Sequence, residues 1–176
     1  VGKAVHSRCY CNFIESNFRN NQIWISNSES SINRHDFKKM PNGNYLAMKL
    51  SYDTGVIPVG EWSYLFQALG YQADGLTEEF TWIGTKVLEY DRNSKEVVWI
   101  WDSFDYFSME DYDSYMGTWY LTDHHGNKYD WLHSNSIWFE ESENAIYLSN
   151  RHLSRITKID YATGEVIWNM GLPSEY

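Results

Sequence analysis

The sequence predicts an all-β fold, a β-propeller made of four-stranded antiparallel blades of which about three are present. Aromatic residues make up 18% of the 176 positions, with nine Trp and fourteen Tyr, and flat rings pack well on pleated sheet surfaces. The chain also resembles itself. Tyr90 to Trp99, YDRNSKEVVW, and Ile159 to Trp168, IDYATGEVIW, each carry Asp at the second position, a polar turn, Glu, two β-branched residues and Trp, so each reads as a hairpin. A second recurrence starts at histidines, because HDFKKMPNGNYLAM from His35 and HSNSIWFEESENAIYL from His133 both run strand, polar turn, strand. The two histidines lie 133 − 35 = 98 residues apart. That spacing fits two units of about 45–50 residues, the size of propeller blades.

The elements follow in order. Pro41 to Asn44, PNGN, has hairpin-turn composition, with Gly43 to supply positive φ. The apolar run Trp62 to Gly70 is short for a helix and reads as a strand or a helical turn. Residues 102–120, rich in acids and aromatics, interrupt the repeat and read as a loop insertion over one face, the kind of segment that shapes sites on a rigid scaffold. Asp130 to Phe139 and Ala145 to His152 then form two strand-like runs around a glutamate-rich turn. Residues 1–176 are read as a single partial domain.

Charge and cysteine usage limit the function. A formal net charge of −10 argues against general nucleic-acid binding, which needs a basic footprint to displace counterions. An anionic ligand would have to be held by local positive groups against that field. Cys9 and Cys11 are separated by one residue, too cramped for an easy internal bridge, and leave the redox compartment open. No run of eighteen apolar residues is present to cross a membrane, and VGKAVHSRCYC lacks the apolar core of a secretory signal.

The chemistry concentrates in DWLHSNSIWF. In a strand, residues two apart point the same way, so His133 and Asn135 are expected to face one pocket, with Arg151 joining from the end of the next strand. Imidazole, amide and guanidinium together make a donor-rich site suited to sulfate or phosphate. Each has a plainer reading: His35 and His133 as strand-end histidines, Asn135 as a turn residue, Arg151 as a surface ion-pair partner. Trp131 is the aromatic placed to stack on a ring-bearing substrate, whereas Trp99 and Trp168, at equivalent repeat positions, read as packing. His152 is expected to point away from the site. Asp123, His124, His125, Asp130 and His133 offer metal-ligand types without a standard spacing, and Asp102, Asp105, Glu110, Asp111 and Asp113 read as a solvated loop before a calcium site. No metal and no cofactor is expected.

HDFKKMPNGN, the Asp-Trp-x-His-x-Asn of DWLHSN, the strand end LSNRH and KIDYATGEVIWNMG together resemble the arylsulfotransferase family, the PAPS-independent aryl-sulfate sulfotransferases. The resemblance covers most of Arg34 to Pro173. It implies a six-bladed propeller with its site near the central channel, and transfer of a sulfuryl group from an aryl sulfate to a phenol through a sulfated histidine. Position by position, His35 resembles the family's histidine before the PNGN turn, His133 and Asn135 its His-x-Asn pair, and Arg151 its sulfate-binding arginine. The histidine that becomes sulfated in the family precedes a PNG-type turn in a later blade, and no other histidine of this chain stands so. This chain is therefore expected to supply the sulfate-binding part of the site, with an extracellular or periplasmic setting implied by the resemblance. The partners expected are a small aryl sulfate and a phenol, and the rest of the ring or a second chain to close it. The alternative is a non-catalytic propeller that keeps the anion pocket for binding or scaffolding.

Overall fold

The computed structural model describes residues 3–8, 12–27, 32–114, 118–119 and 127–171. Cys9, Cys11, Asp123, His124 and His125 lie outside them. The described chain is dominated by strands, in agreement with the all-β reading, and forms three sheets. The first is β1 (Lys3–Arg8), β2 (Asn12–Asn17) and β3 (Gln22–Ile25). The second is a meander of β4 (Ile32–Lys39), β5 (Tyr45–Val56), β6 (Glu78–Tyr90) and β7 (Val97–Asp102), with the two-residue β8 (Tyr129–Asp130) parallel to β6. The third is a meander of β9 (Ser134–Glu140), β10 (Ala145–Asn150), β11 (Arg155–Asp160) and β12 (Val166–Gly171). Among the described residues two short α-helices interrupt the strands, α1 (Ser63–Ala68) in the ambiguous apolar run and α2 (Ser103–Tyr106) at the start of the acidic insertion.

The internal similarity read from the sequence is real at the level of bonding. In the β6–β7 turn, Asp91 N donates to Glu96 O and the Asp91 carboxylate accepts from Asn93 N and Ser94 N. In the β11–β12 turn, Asp160 N donates to Glu165 O and the Asp160 carboxylate accepts from Thr163 N and Thr163 Oγ1. These bonds hold both exposed carboxyls below the usual carboxylate range. The positive-φ position falls four residues after each Asp, at Lys95 and Gly164.

Alternation along the middle strands explains how the sheets stack. Leu46 and Met48 on β5 and Val87 on β6 pack with Ile137, Ile146, Leu148 and Ile159 of the third sheet. Tyr45, Ala47, Leu88 and Tyr90, on the opposite face, pack with Phe13 and Trp24 of the first. The second sheet is therefore apolar on both faces and sits between the other two. Each such buried side chain contributes about 1.5–3 kcal/mol relative to exposure. At the far end of β6 a third cluster gathers Phe66 of α1, Phe80, Trp82, Trp119, Tyr129 and Trp131. Gly84 lets α2 close onto β6: a Cβ there would lie 2.5 Å from Ser103 Oγ, the atom that accepts from Thr85 N at 2.9 Å. This closure fixes the part of β6 on which β8, and hence Asp130, is laid.

Beyond α2 the insertion is tied down by its acids. Asp111 makes a bidentate pair with buried Arg155 and its carbonyl accepts from Trp131 Nε1 at 2.7 Å. Asp102 accepts from Ser51 Oγ and pairs with Lys86. Two members of the acidic group thus serve internal pairing.

Candidate functional site

Asp130 ends β8 opposite Ile83 of β6, and Trp131 N continues the pairing by donating to Ile83 O. Leu132 is buried, and His133 then takes φ 45°, a left-handed conformation rare for a residue with a Cβ. That turn separates β8 from β9. The expected strand alternation between His133 and Asn135 therefore does not apply, since β9 begins only at Ser134. Asn135 is instead the extra residue of a β-bulge: Asn150 faces Ser134 and Ser149 faces Ser136, which leaves Asn135 without an opposite number.

The chain after β10 folds back on the same turn. Arg151 N donates to His133 O and His152 N donates to Leu132 O. This corrects the expectation for His152. The strand stops at Asn150, so alternation no longer governs the next residues, and the His152 ring lies 4.8 Å from that of His133. His35 arrives from the other side, its ring centroid 5.0 Å from that of His133. It sits where β4 breaks register with β5, between the pairs Ile32↔Lys49 and Phe37↔Ala47. Its neighbours hold that irregular stretch against β9: Asn33 Nδ2 donates to Ser134 O at 2.7 Å, and Asp36 Oδ2 accepts from Ile137 N at 3.0 Å and Ser136 Oγ at 3.1 Å.

Three imidazoles thus stand in a row, 35, 133 and 152, with Arg151 close enough to influence the outer two. Burial is the main force holding His35 and His152 below the ordinary histidine range, helped by the positive fields of His133 and Arg151 and opposed by Asp130. Both are neutral near pH 7. His133 Nδ1 meets the Asp130 carboxylate, and His152 Nδ1 lies 2.5 Å from the Asp130 carbonyl oxygen. A carboxylate and a carbonyl only accept, so both imidazoles carry their proton on Nδ1. Beside the rings opens a pocket of about 300 Å³, bounded by Arg34, His35, Leu50, Ile83, Asp130 and His133. Beneath it runs a buried polar chain in which Thr85 Oγ1 donates to Ser134 Oγ, Ser134 Oγ to Asn150 Oδ1, and Asn150 Nδ2 to Thr157 Oγ1. Every link has a partner, which favours one rigid arrangement.

Of the residues singled out by sequence, the structure brings together His35, His133 and Arg151, with Asn135 two residues along the chain in the bulge. Trp131 is placed differently. It is fully buried, packed on Trp82, Phe104 and Phe107 and bonded to the insertion, so it has no free face for a substrate and supports the site from behind. Trp99 and Trp168 pack against Tyr161 and Tyr147. Asp130 and His152 enter the cluster as additions, and the signal for Asp130 was the Asp three residues before His133 in DWLH. Ligand atoms of Asp130, His133 and His152 all lie within 4.8 Å of one another. A metal ion has suitable donor types here, and with both Nδ1 atoms engaged each ring would offer Nε2; the Arg151 cation next to His152 opposes a positive charge at this place.

The sequence model of one family, Arylsulfotransferase (ASST), matches residues 25–176. This chain belongs to the arylsulfotransferase family. No curated protein matches it. The arylsulfotransferase match begins at β3 and takes in both four-stranded meanders and every side chain of the histidine row. What this arylsulfotransferase arrangement offers chemically is the Arg34 guanidinium beside the His35 and His133 rings in a small pocket with an apolar side at Leu50 and Ile83. Such a set can hold an anionic head group and keep an attached ring out of water.

Proposed function

We propose that this chain supplies the sulfate-binding part of a centre that moves a sulfuryl group from an aryl sulfate to a phenol through a sulfated histidine. The observation that carries the reading is the row of His35, His133 and His152 with Arg151 beside it, within a chain of arylsulfotransferase sequence. Arg151 and Asn135 bind the sulfuryl oxygens, where charge-assisted bonds are strongest. His35 and His133 polarise the group and exchange protons with the phenolic oxygens. The nucleophile is a further histidine from another part of the complete protein, as the family resemblance implies. The two meanders are blades of a six-bladed ring, and the outward side chains of β12, with Ile167 49% and Met170 57% exposed, support a further sheet packing there from the same polypeptide or a second copy. The setting is extracellular or periplasmic, by the same resemblance.

The test is binding of 4-methylumbelliferyl sulfate to the complete protein with and without Arg151→Ala. Losing hydrogen bonds to a charged group removes about 1.5–3 kcal/mol, so affinity should fall roughly 10- to 100-fold while the unfolding midpoint stays put. Unchanged affinity removes the assignment. Tight binding with no transfer to any phenol, and no sulfated histidine by mass spectrometry, would establish the non-catalytic binding protein instead.

A further inference from the structure

We propose that Asp130 is a positioning residue that makes His133 the acid and base at the phenolic oxygen, a role that rests on the sulfotransfer reading above. Asp130 offers two acceptors, its carboxylate to His133 Nδ1 and its backbone carbonyl to His152 Nδ1. Asp130 is 9% exposed, and the His133 that reaches its carboxylate stands at φ 45°. A strained conformation at a pocket wall, closed by a buried carboxylate, is an arrangement the fold must actively hold. Its consequence is chemical. With Nδ1 fixed as the donor to Asp130, the proton that His133 exchanges is the one on Nε2, and Asp130 balances the charge whenever the ring carries both protons.

As the S–O bond of the donor breaks, its electron pair stays on the phenolic oxygen, which takes the proton from Nε2 of doubly protonated His133. The sulfuryl group passes to the nucleophile. The acceptor phenol then gives its proton to Nε2 as its oxygen forms the new S–O bond, and His133 returns to its starting state. His152 has a different part in the design. Its Nδ1 is held by the backbone carbonyl of Asp130, which a side-chain substitution at that position retains, so it reports whether the surrounding fold is intact.

The experiment compares the complete protein with Asp130→Ala and Asp130→Asn by ¹⁵N NMR of the imidazoles and by transfer kinetics with two donors. In Asp130→Ala, His133 should lose its Nδ1–H form while His152 keeps its own. Turnover should fall about 100-fold or more for phenyl sulfate, whose leaving oxygen needs a proton, within the 10²–10⁴ range of general acid–base catalysis. The fall should be several-fold smaller for 4-nitrophenyl sulfate, which leaves readily as the anion, and KM should stay within about twofold. Asp130→Asn keeps the size of the side chain and should show the same dependence on leaving group. An unchanged His133 tautomer in Asp130→Ala, a simultaneous change at His152, or an equal loss with both donors overturns the assignment. So does formation of a tight cobalt(II) complex at Asp130 in the wild type, because the metal would take the carboxylate from His133. If the wild type transfers no sulfate, the sulfotransfer reading fails, while the tautomer comparison still judges whether Asp130 positions His133.

Discussion

Two buried carboxylates, Glu89 and Asp130, sit near opposite ends of the same sheet and do different work. Glu89, on regular β6, is 1% exposed and accepts from Asn42 Nδ2 and Asn44 Nδ2 of the PNGN turn and from the Tyr161 hydroxyl. Asp130, on the short β8, accepts from an imidazole in a left-handed conformation beside a pocket. The partners of Glu89 are amides and a phenol, which keep their protons across the physiological range. The partner of Asp130 can gain and lose one. A buried acid is therefore not by itself a sign of chemistry; the nature of its donors and the regularity of the backbone around it separate a fastening from a site.

The comparison is broken most directly at Glu89. Glu89→Ala removes a buried carboxylate that accepts from three donors, exposed Asn42 and half-buried Asn44 and Tyr161, and hydrogen bonds to charged groups contribute about 1.5–3 kcal/mol. A loss of roughly 3 kcal/mol is expected, seen as a lowered urea midpoint with an unchanged m-value, while the affinity of the folded fraction for aryl sulfate holds. Glu89→Gln, which keeps an acceptor, should lose about 1 kcal/mol. If Glu89→Ala abolished ligand binding with stability intact, the division between fastening and site would be wrong.

The same division shows what a sequence carries. The meanders were legible because hairpin signals are local: the Asp91 and Asp160 turns repeat the same bonds within six residues. The cluster was legible only in part. Arg151 and the two histidines could be named from their motifs, but their geometry depends on two departures from strand regularity, the turn at His133 and the end of β10 at Asn150. Strand alternation could not foresee either, so it put His152 on the wrong side and paired Asn135 with His133 by a rule that does not hold there. Trp131 differs for a related reason: its place in DWLH carries no sign of the wall of Trp82 and Phe104 that closes over it.

An intermediate effect is expected where a fastening serves the site. Asp36 holds the irregular stretch of β4 to β9 through Ile137 N and Ser136 Oγ, and so places His35 beside His133. Asp36→Ala should cost about 1–2 kcal/mol of stability and also weaken aryl sulfate binding several-fold, as measured by denaturation and calorimetry on the same preparation. Stability loss without any change in binding would show that the row of rings is held by its own contacts, and that the β4 break has no role in it.

The smallest effect is in pH dependence, where the two carboxylate centres should respond at opposite ends of the scale. His152 is held below its ordinary value of 6.5, chiefly by burial, so the fold prefers it neutral. The unfolded chain binds the proton first, and stability follows the proton difference between the two states. The contribution is complete above about pH 6.5 and is lost as pH falls through and below that value. Tyr161 is pushed above its ordinary 10.0 by burial and by Glu89, so the fold prefers it protonated and stability declines as pH rises past 10. Tyr45, raised by burial and Glu15, adds to the alkaline decline. Urea midpoints measured from pH 5 to pH 11 should therefore lose part of their acid-side slope in His152→Gln and part of their alkaline slope in Tyr161→Phe, with neither variant altering the other's limb. An acid-side slope that survives in His152→Gln, with His35 also neutralised by substitution, would place the acid sensitivity outside the histidine row and remove the contrast between a centre that titrates near neutrality and one that does not.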